Sequence, residues 1–166
     1  MASDEAPGGT QVLGFSLGAH ACALEIRGVR EIIQVGPMTP VPLMPGFVRG
    51  VINLRGAVVP VIDLHARFGH APARVGKKSC IVVYDATLAG ERSEIGLLVD
   101  AVSEVVEIDA AATEPPPAFG TPIAREFIRA VAKVRGRFVL LLEPERACDI
   151  GELAALCEAG AEPVAA

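Results

Sequence analysis

Apolar and polar residues alternate over short stretches of this chain, and each stretch is cut off by glycine, proline or a charged turn. The longest uninterrupted pattern covers residues 47–64. It reads Phe47-Val48-Arg49-Gly50-Val51-Ile52-Asn53-Leu54, then Arg55-Gly56, then Ala57-Val58-Val59-Pro60-Val61-Ile62-Asp63-Leu64. Two β-branched apolar runs around a glycine-containing pair predict a β-hairpin. Gly56 reaches φ > 0 without the steric cost of a Cβ, so the chain reverses there and Arg55 is carried to the tip with its guanidinium outward. Both arms are apolar almost throughout, which predicts burial on both faces. Pro60 has no N–H for a ladder, which places its arm at a sheet edge or a bulge.

The same reading predicts a strand over 11–17, a turn at Gly18-Ala19 and a returning strand over 20–26. Residues 28–33 form a short helical turn leading into a strand, and Pro37, Pro40, Pro42 and Pro45 punctuate the loop before the central hairpin. One helical turn over 64–68 is ended by Gly69, and 70–78 is a surface loop. Strands follow over 79–85 and 93–99 around Ala89-Gly90, then over 101–108, with Glu104 and Glu107 facing water. The run Pro115-Pro116-Pro117 cannot join a ladder and is an exposed loop. A last hairpin pairs 128–134 with 137–142 around Arg135-Gly136, which repeats the central turn and hints at two similar lobes. Asp149 is a candidate N-cap for an amphipathic helix that Gly160 ends. Eight to ten strands and one real helix make the chain mainly all-β.

Composition narrows the class further. At 166 residues, half of them hydrophobic, the chain suits one domain or two small lobes on a shared core. Trp is absent and there is one tyrosine, Tyr84, so aliphatic residues carry the packing. A net charge of −5 argues against nucleic-acid or anionic-lipid binding, which need a basic surface. No apolar run reaches the ~18–20 residues of a membrane span, and the start, Met1-Ala2-Ser3-Asp4-Glu5, lacks the basic and apolar regions of a signal peptide. These features predict a cytoplasmic protein without direct membrane insertion. The four cysteines, at 22, 80, 148 and 157, have no CxxC spacing and are read as small buried hydrophobes, with Cys157 the most exposed.

Three patterns suggest chemistry, and each has a plainer explanation. Gly14-Phe15-Ser16-Leu17-Gly18 matches a nucleophile elbow, which needs a parallel sheet upstream and an acid and histidine downstream. About a dozen residues precede Ser16 and the last histidine is His70, so a strand ending in a glycine turn is the better reading. Asp63, His65 and His70 are candidate metal ligands, but no fourth ligand is suggested nearby. Gly76-Lys77-Lys78-Ser79 resembles the end of a phosphate loop, but the earlier glycine is Ala71 and the strand follows rather than precedes it. No catalytic, cofactor or metal constellation emerges, and a non-enzymatic protein is expected.

The central stretch, Gly50-Val51-Ile52-Asn53-Leu54-Arg55-Gly56 with Pro60-Val61-Ile62-Asp63-Leu64, closely resembles the signature of the CheW-like family of bacterial chemotaxis adaptors. The likeness extends to Phe15-Ser16-Leu17-Gly18 with Cys22-Ala23-Leu24-Glu25-Ile26, to Val29-Arg30-Glu31-Ile32-Ile33, to the run from Gly96 to Val105 and to that from Val131 to Leu142. It implies two five-stranded SH3-like β-barrel lobes sharing an apolar core. Residues 10–147 would be that domain, between a tail at 1–9 and a C-terminal helix at 148–159 with a tail at 160–166. It also implies a non-enzymatic adaptor that links the tips of methyl-accepting chemoreceptors to the regulatory domain of the histidine kinase CheA, recruited to receptor arrays.

By family likeness Val29, Glu31, Gly50, Arg55 and Gly56 are the candidate partner-binding residues. Gly50 and Gly56 have an alternative role in backbone geometry, and Val29 in the core. The pattern departs from the family at His65, at Ala130 and beyond Cys148. The absence of a receiver or kinase segment favours a stand-alone adaptor. A scaffold for another chemosensory output, such as surface motility, and a small hydrolase using Ser16 are the competing readings.

Overall fold

The computed structural model describes residues 9–148, apart from 89, 118–120 and 122. In chain order the strands are β1 (Gly9–Leu17), β2 (His20–Glu25), β3 (Val29–Gln34), β4 (Val48–Leu54), β5 (Ala57–Asp63), β6 (Cys80–Leu88), β7 (Glu91–Val99), β8 (Ala101–Asp109), β9 (Thr113–Glu114), β10 (Ile128–Val134) and β11 (Arg137–Leu142). Helix α1 (Leu64–Arg67) follows β5, and α2 (Pro144–Cys148) follows β11. The expected helical turn before β3 is a 3-10 turn at Ile26–Gly28. Strands β6 and β7 run further toward their turn than expected, because their polar ends pair across the hairpin out to Leu88 and Glu91. Helix α2 and the two-residue β9 went unanticipated, while the amphipathic helix expected from Ile150 and Cys157 lie outside the described residues.

These strands form two sheets. One has six strands in the order β8-β1-β2-β11-β10-β9, one more than expected through β9, and the other five in the order β3-β6-β7-β5-β4. In a flat five-stranded sheet β3 and β4 would lie about 19 Å apart, four strand spacings. Instead the chain just after β3 meets β4: Thr39 donates to the Val51 carbonyl at 2.9 Å and accepts from Val51 N–H at 2.8 Å. The sheet therefore curls onto itself. In the six-stranded sheet the outer strands β8 and β9 are joined by a single 3-10 turn (Ala110–Ala112), which holds its two ends together in the same way. The fold is mainly β, in two lobes.

The apolar runs divide along the strand period of two. Ile81 and Val83 of β6 enter the interior of the five-stranded lobe with Val61 and Leu98, while Val82 and Tyr84 face the other way. In β2, Ala23 lies inside the six-stranded lobe, whereas Cys22 and Leu24 face outward. Those outward faces meet in one shared core that includes Phe15, Ile62, Leu97 and Leu140. Strands buried on both faces explain why so many runs lack polar residues. Each fully buried aliphatic side chain contributes roughly 1.5–3 kcal/mol of transfer free energy.

The central hairpin departs from its expectation in two ways. Strand β5 is buried from Val59 onward, but β4 is half-exposed and Asn53 faces solvent. Pro60 does not put β5 at an edge, since β5 lies between β4 and β7. The pair Leu54–Ala57 closes the two-residue turn, and alternation from it makes Val51–Pro60 a non-hydrogen-bonded pair. The proline nitrogen thus points toward β7, where the parallel ladder starts only at Val61–Gly96. Proline is tolerated because it sits one position ahead of that ladder.

Candidate functional site

Arg55 and Gly56 occupy the two central positions of the β4–β5 turn at φ 54° and 85°, the pattern of a type I′ hairpin. Asn53 Oδ1 accepts the Gly56 N–H at 3.2 Å. The left-handed backbone suits glycine, but in Arg55 it costs about 1–2 kcal/mol. That cost fixes the direction of an exposed side chain. Arg55 donates to the Glu31 carboxylate of β3, and a second guanidinium nitrogen lies 3.9 Å from Glu94 of β7. The hydrogen bond to Glu31, and then its charge, raises the Arg55 pKa. Since the Arg55 side chain is 59% exposed, water screens the pair and it adds little to stability.

The pair belongs to a larger patch. Arg30 lies 3.7 Å from Glu94 and 4.0 Å from Asp85, and Arg92 bonds Asp85 at 2.6 Å. Three arginines and three carboxylates thus interlock across β3, β6, β7 and the hairpin tip. Glu94, Arg30, Asp85 and Arg92 were missed from sequence. The available signal was the polar alternation on either side of Gly90, which pairs Asp85 with Glu94 and Thr87 with Arg92. Ile32, one position beyond Glu31, is 43% exposed but points to the opposite face of β3, with Val82.

Of the five candidate residues, Glu31, Arg55 and Gly56 converge at this tip. Gly56 is exposed, with no atom within 4 Å of where a Cβ would stand. Val29 shares the strand of Glu31, pairs with Tyr84 and is half-buried against the shared core. Gly50 is separate: it is buried, and a Cβ there would meet the Thr39 carbonyl at 2.7 Å. Its missing side chain lets the chain after β3 close onto β4.

The suggested chemistries do not assemble. Ser16 lies within β1, paired on both sides by antiparallel strands, without the following helix a nucleophile elbow requires. Asp63 is fully buried, accepting from Arg49 at 2.9 Å, from Ala73 N–H at 2.9 Å and from Ala66 N–H at 3.2 Å, the last as the cap of α1. His65 turns away to Asp100 at 3.0 Å, and Asp100 in turn accepts the Gly18 N–H at 2.5 Å. His65 and His70 line one open cleft with His20, but no group of three His, Cys, Asp or Glu among the described residues is arranged to hold a metal ion.

The two lobes are tied together beside α1. The Arg67 guanidinium stacks over Phe47 at 4.9 Å and over Phe127 at 4.7 Å, and donates to the Ala147 carbonyl of α2 at 2.5 Å. This anchorage holds the five-stranded lobe, and the tip it carries, in a fixed relation to the other.

The family model for the CheW-like domain matches residues 11–150. The chemotaxis protein CheW of Rhizobium meliloti is 37% identical over 136 residues, covering 82% of this chain and 85% of that protein. The probable chemotaxis protein CheW of Rhizobium etli is 36% identical over 138 residues, 83% of this chain and 86% of its own. The crystal structure of the scaffolding protein TtCheW from Thermoanaerobacter tengcongensis superposes with a TM-score of 0.77 at 34% identity, covering 86% of this chain and 94% of that one. With a family match over most of its length and two lobes on one core, this chain belongs to the CheW-like family, whose members are non-enzymatic adaptors.

Proposed function

We propose that this protein is a chemotaxis coupling adaptor that joins the cytoplasmic tips of chemoreceptors to the regulatory domain of the histidine kinase CheA. One observation carries the reading: an arginine is held in a strained, exposed backbone conformation and aimed by carboxylates on two other strands. Such a group contributes little to stability, so contact with a partner is what gives its orientation a use. Glu31, Arg55 and Gly56 form an exposed, charged contact point, of the kind found at the polar rim of a protein interface. Val29 and Gly50 lie apart from the tip, where they shape the strands β3 and β4 that lead to it. Among the described residues no helix is long and apolar enough to cross a membrane.

The test is a titration of the purified chain with the CheA regulatory domain of the same organism, with Arg55→Ala and Glu31→Ala alongside. Saturable binding that weakens tenfold or more in a variant of unchanged melting temperature supports the assignment. No binding by the folded wild-type chain overturns it. Saturable binding instead to the kinase of a different chemosensory pathway reassigns the output while keeping the adaptor role.

A further inference from the structure

The six-stranded lobe contains a pit lined by both apolar and polar side chains. The parallel ladder between β2 and β11 ends at Ala23–Leu141, and beyond it the strands part. Thr10, Thr113, Ala130 and Leu141 line the open part of the gap, which holds about 120 Å³ and lies over the buried Val12, Ala23 and Ile108. Alanine at 23 and at 130 is what leaves the space empty. For scale, an apolar cavity of about 150 Å³ suffices to bind benzene.

The mouth is charged. The β10 ladder shifts register between Ile128 and Ala130, and this bulge brings Arg129 to the rim. Bulges of this kind re-aim side chains. The Arg129 guanidinium donates to Glu25 on the opposite side of the mouth, with the two side chains 51% and 36% exposed. A surface pair of this type contributes about 0–1 kcal/mol, so Arg129 can exchange Glu25 for another carboxylate at little cost. A guanidinium beside a partly apolar pit offers a bidentate partner to an anion whose body fills the pit.

We propose that this pit is a binding site for a small carboxylate with a branched-aliphatic or aromatic body. The body fills the space between Ala130 and Leu141, and the carboxylate takes the place of Glu25 on Arg129. The site is separate from the Arg55 tip and does not depend on the adaptor function.

The test uses the whole chain, isotope-labelled for NMR, titrated with 4-methylpentanoate and, in parallel, with the uncharged 4-methyl-1-pentanol. The expected result is a saturable shift confined to Val12, Ala23, Ile108 and Leu141, with the acid binding at least fivefold more tightly than the alcohol. Arg129→Gln, a change at an exposed side chain, removes that preference, and Ala130→Leu abolishes binding by filling the pit. If Ala130→Leu does not fold, Arg129→Gln decides alone. No saturable shift at these residues overturns the site, and equal affinity for acid and alcohol overturns the ligand class.

Discussion

The hairpins β4–β5 and β10–β11 stand eighty positions apart and share their construction almost residue for residue. Phe47 and Phe127 each accept a backbone bond from the residue after or ending the second strand, Asp63 at 2.8 Å and Glu143 at 2.9 Å. Each first strand shifts register at an arginine, Arg49 or Arg129. The turns repeat too, with φ of 54° and 85° in one and 52° and 80° in the other. Even the tip arginines are bound alike, Arg55 by Glu31 and Arg135 by Glu104 at 2.5 Å. The differences are inside. Arg49 bonds the buried Asp63, whereas Arg129 turns to the exposed Glu25. Gly50 is pressed against Thr39, whereas Ala130 borders a pit. Turn geometry is thus dictated by backbone sterics and recurs, while interior packing tolerates drift. The five-stranded lobe is the firmly filled mount, and the other lobe has room.

The largest expected contrast lies at the two bulged arginines. Arg49→Ala leaves Asp63 buried without its cation and should cost about 3–5 kcal/mol, while Arg129→Ala should cost no more than about 1 kcal/mol. Urea denaturation of both variants measures this, and equal losses would remove the asymmetry. At the next position Gly50→Ala forces a Cβ against backbone and should cost about 1–3 kcal/mol, against about 0.5–1 kcal/mol for Ala130→Gly. The midpoints of the same titrations give that ranking.

Alkali probes the core that both lobes share. Burial pushes the Cys22 thiol up to about 12, and burial first of all pushes the Tyr84 hydroxyl up to about 12 as well. Both pKa values are raised on folding, so their stabilisation is complete below the unfolded values and is lost as pH rises toward 12. Between pH 8 and 10 the Cys22 contribution should fall by about 2 kcal/mol. Cys22→Ala should flatten that part of the stability profile, and an unchanged slope would mean that the thiol ionises freely in the fold. The smallest effect is reserved for the tips. Arg55→Gly and Arg135→Gly each exchange backbone strain for a surface ion pair, so melting should report net changes within about 1 kcal/mol. A clear loss at either tip would show that its ion pair, rather than the backbone, governs that turn.

Local patterns in the sequence carried the hairpins, since a two-residue turn and its flanking alternation are set by neighbours. The Arg55 tip was legible for that reason, and the repeated Arg-Gly turn already pointed to paired lobes. Curling of the sheets was not, because it depends on Thr39 meeting Val51 and on two strands that never pair directly. Glu94 was invisible as a site residue because a solvated strand carboxylate and one aimed at Arg55 look alike in sequence. Asp63 shows the opposite case: an acid two positions from a histidine could suggest ligation, yet one is directed inward to Arg49 and the other outward to Asp100. The role of Gly50 was left open between contact and geometry, and the crowding at Thr39 supplies the geometric reason for a glycine there.

The interleaving of the lobes sets an order in which the chain can mature. Residues 29–99 contain all five strands of one lobe, so that lobe can assemble as soon as it leaves the ribosome. The other must leave the outer edge of β2 unpaired until β11 is made, because Cys22 pairs with Leu140 in parallel. Contacts between such distant positions form slowly, and an open strand edge invites association with other chains in the interval. The late partner is therefore the vulnerable one: a chain that stops before Leu140 keeps the lobe bearing Arg55 and leaves β2 exposed.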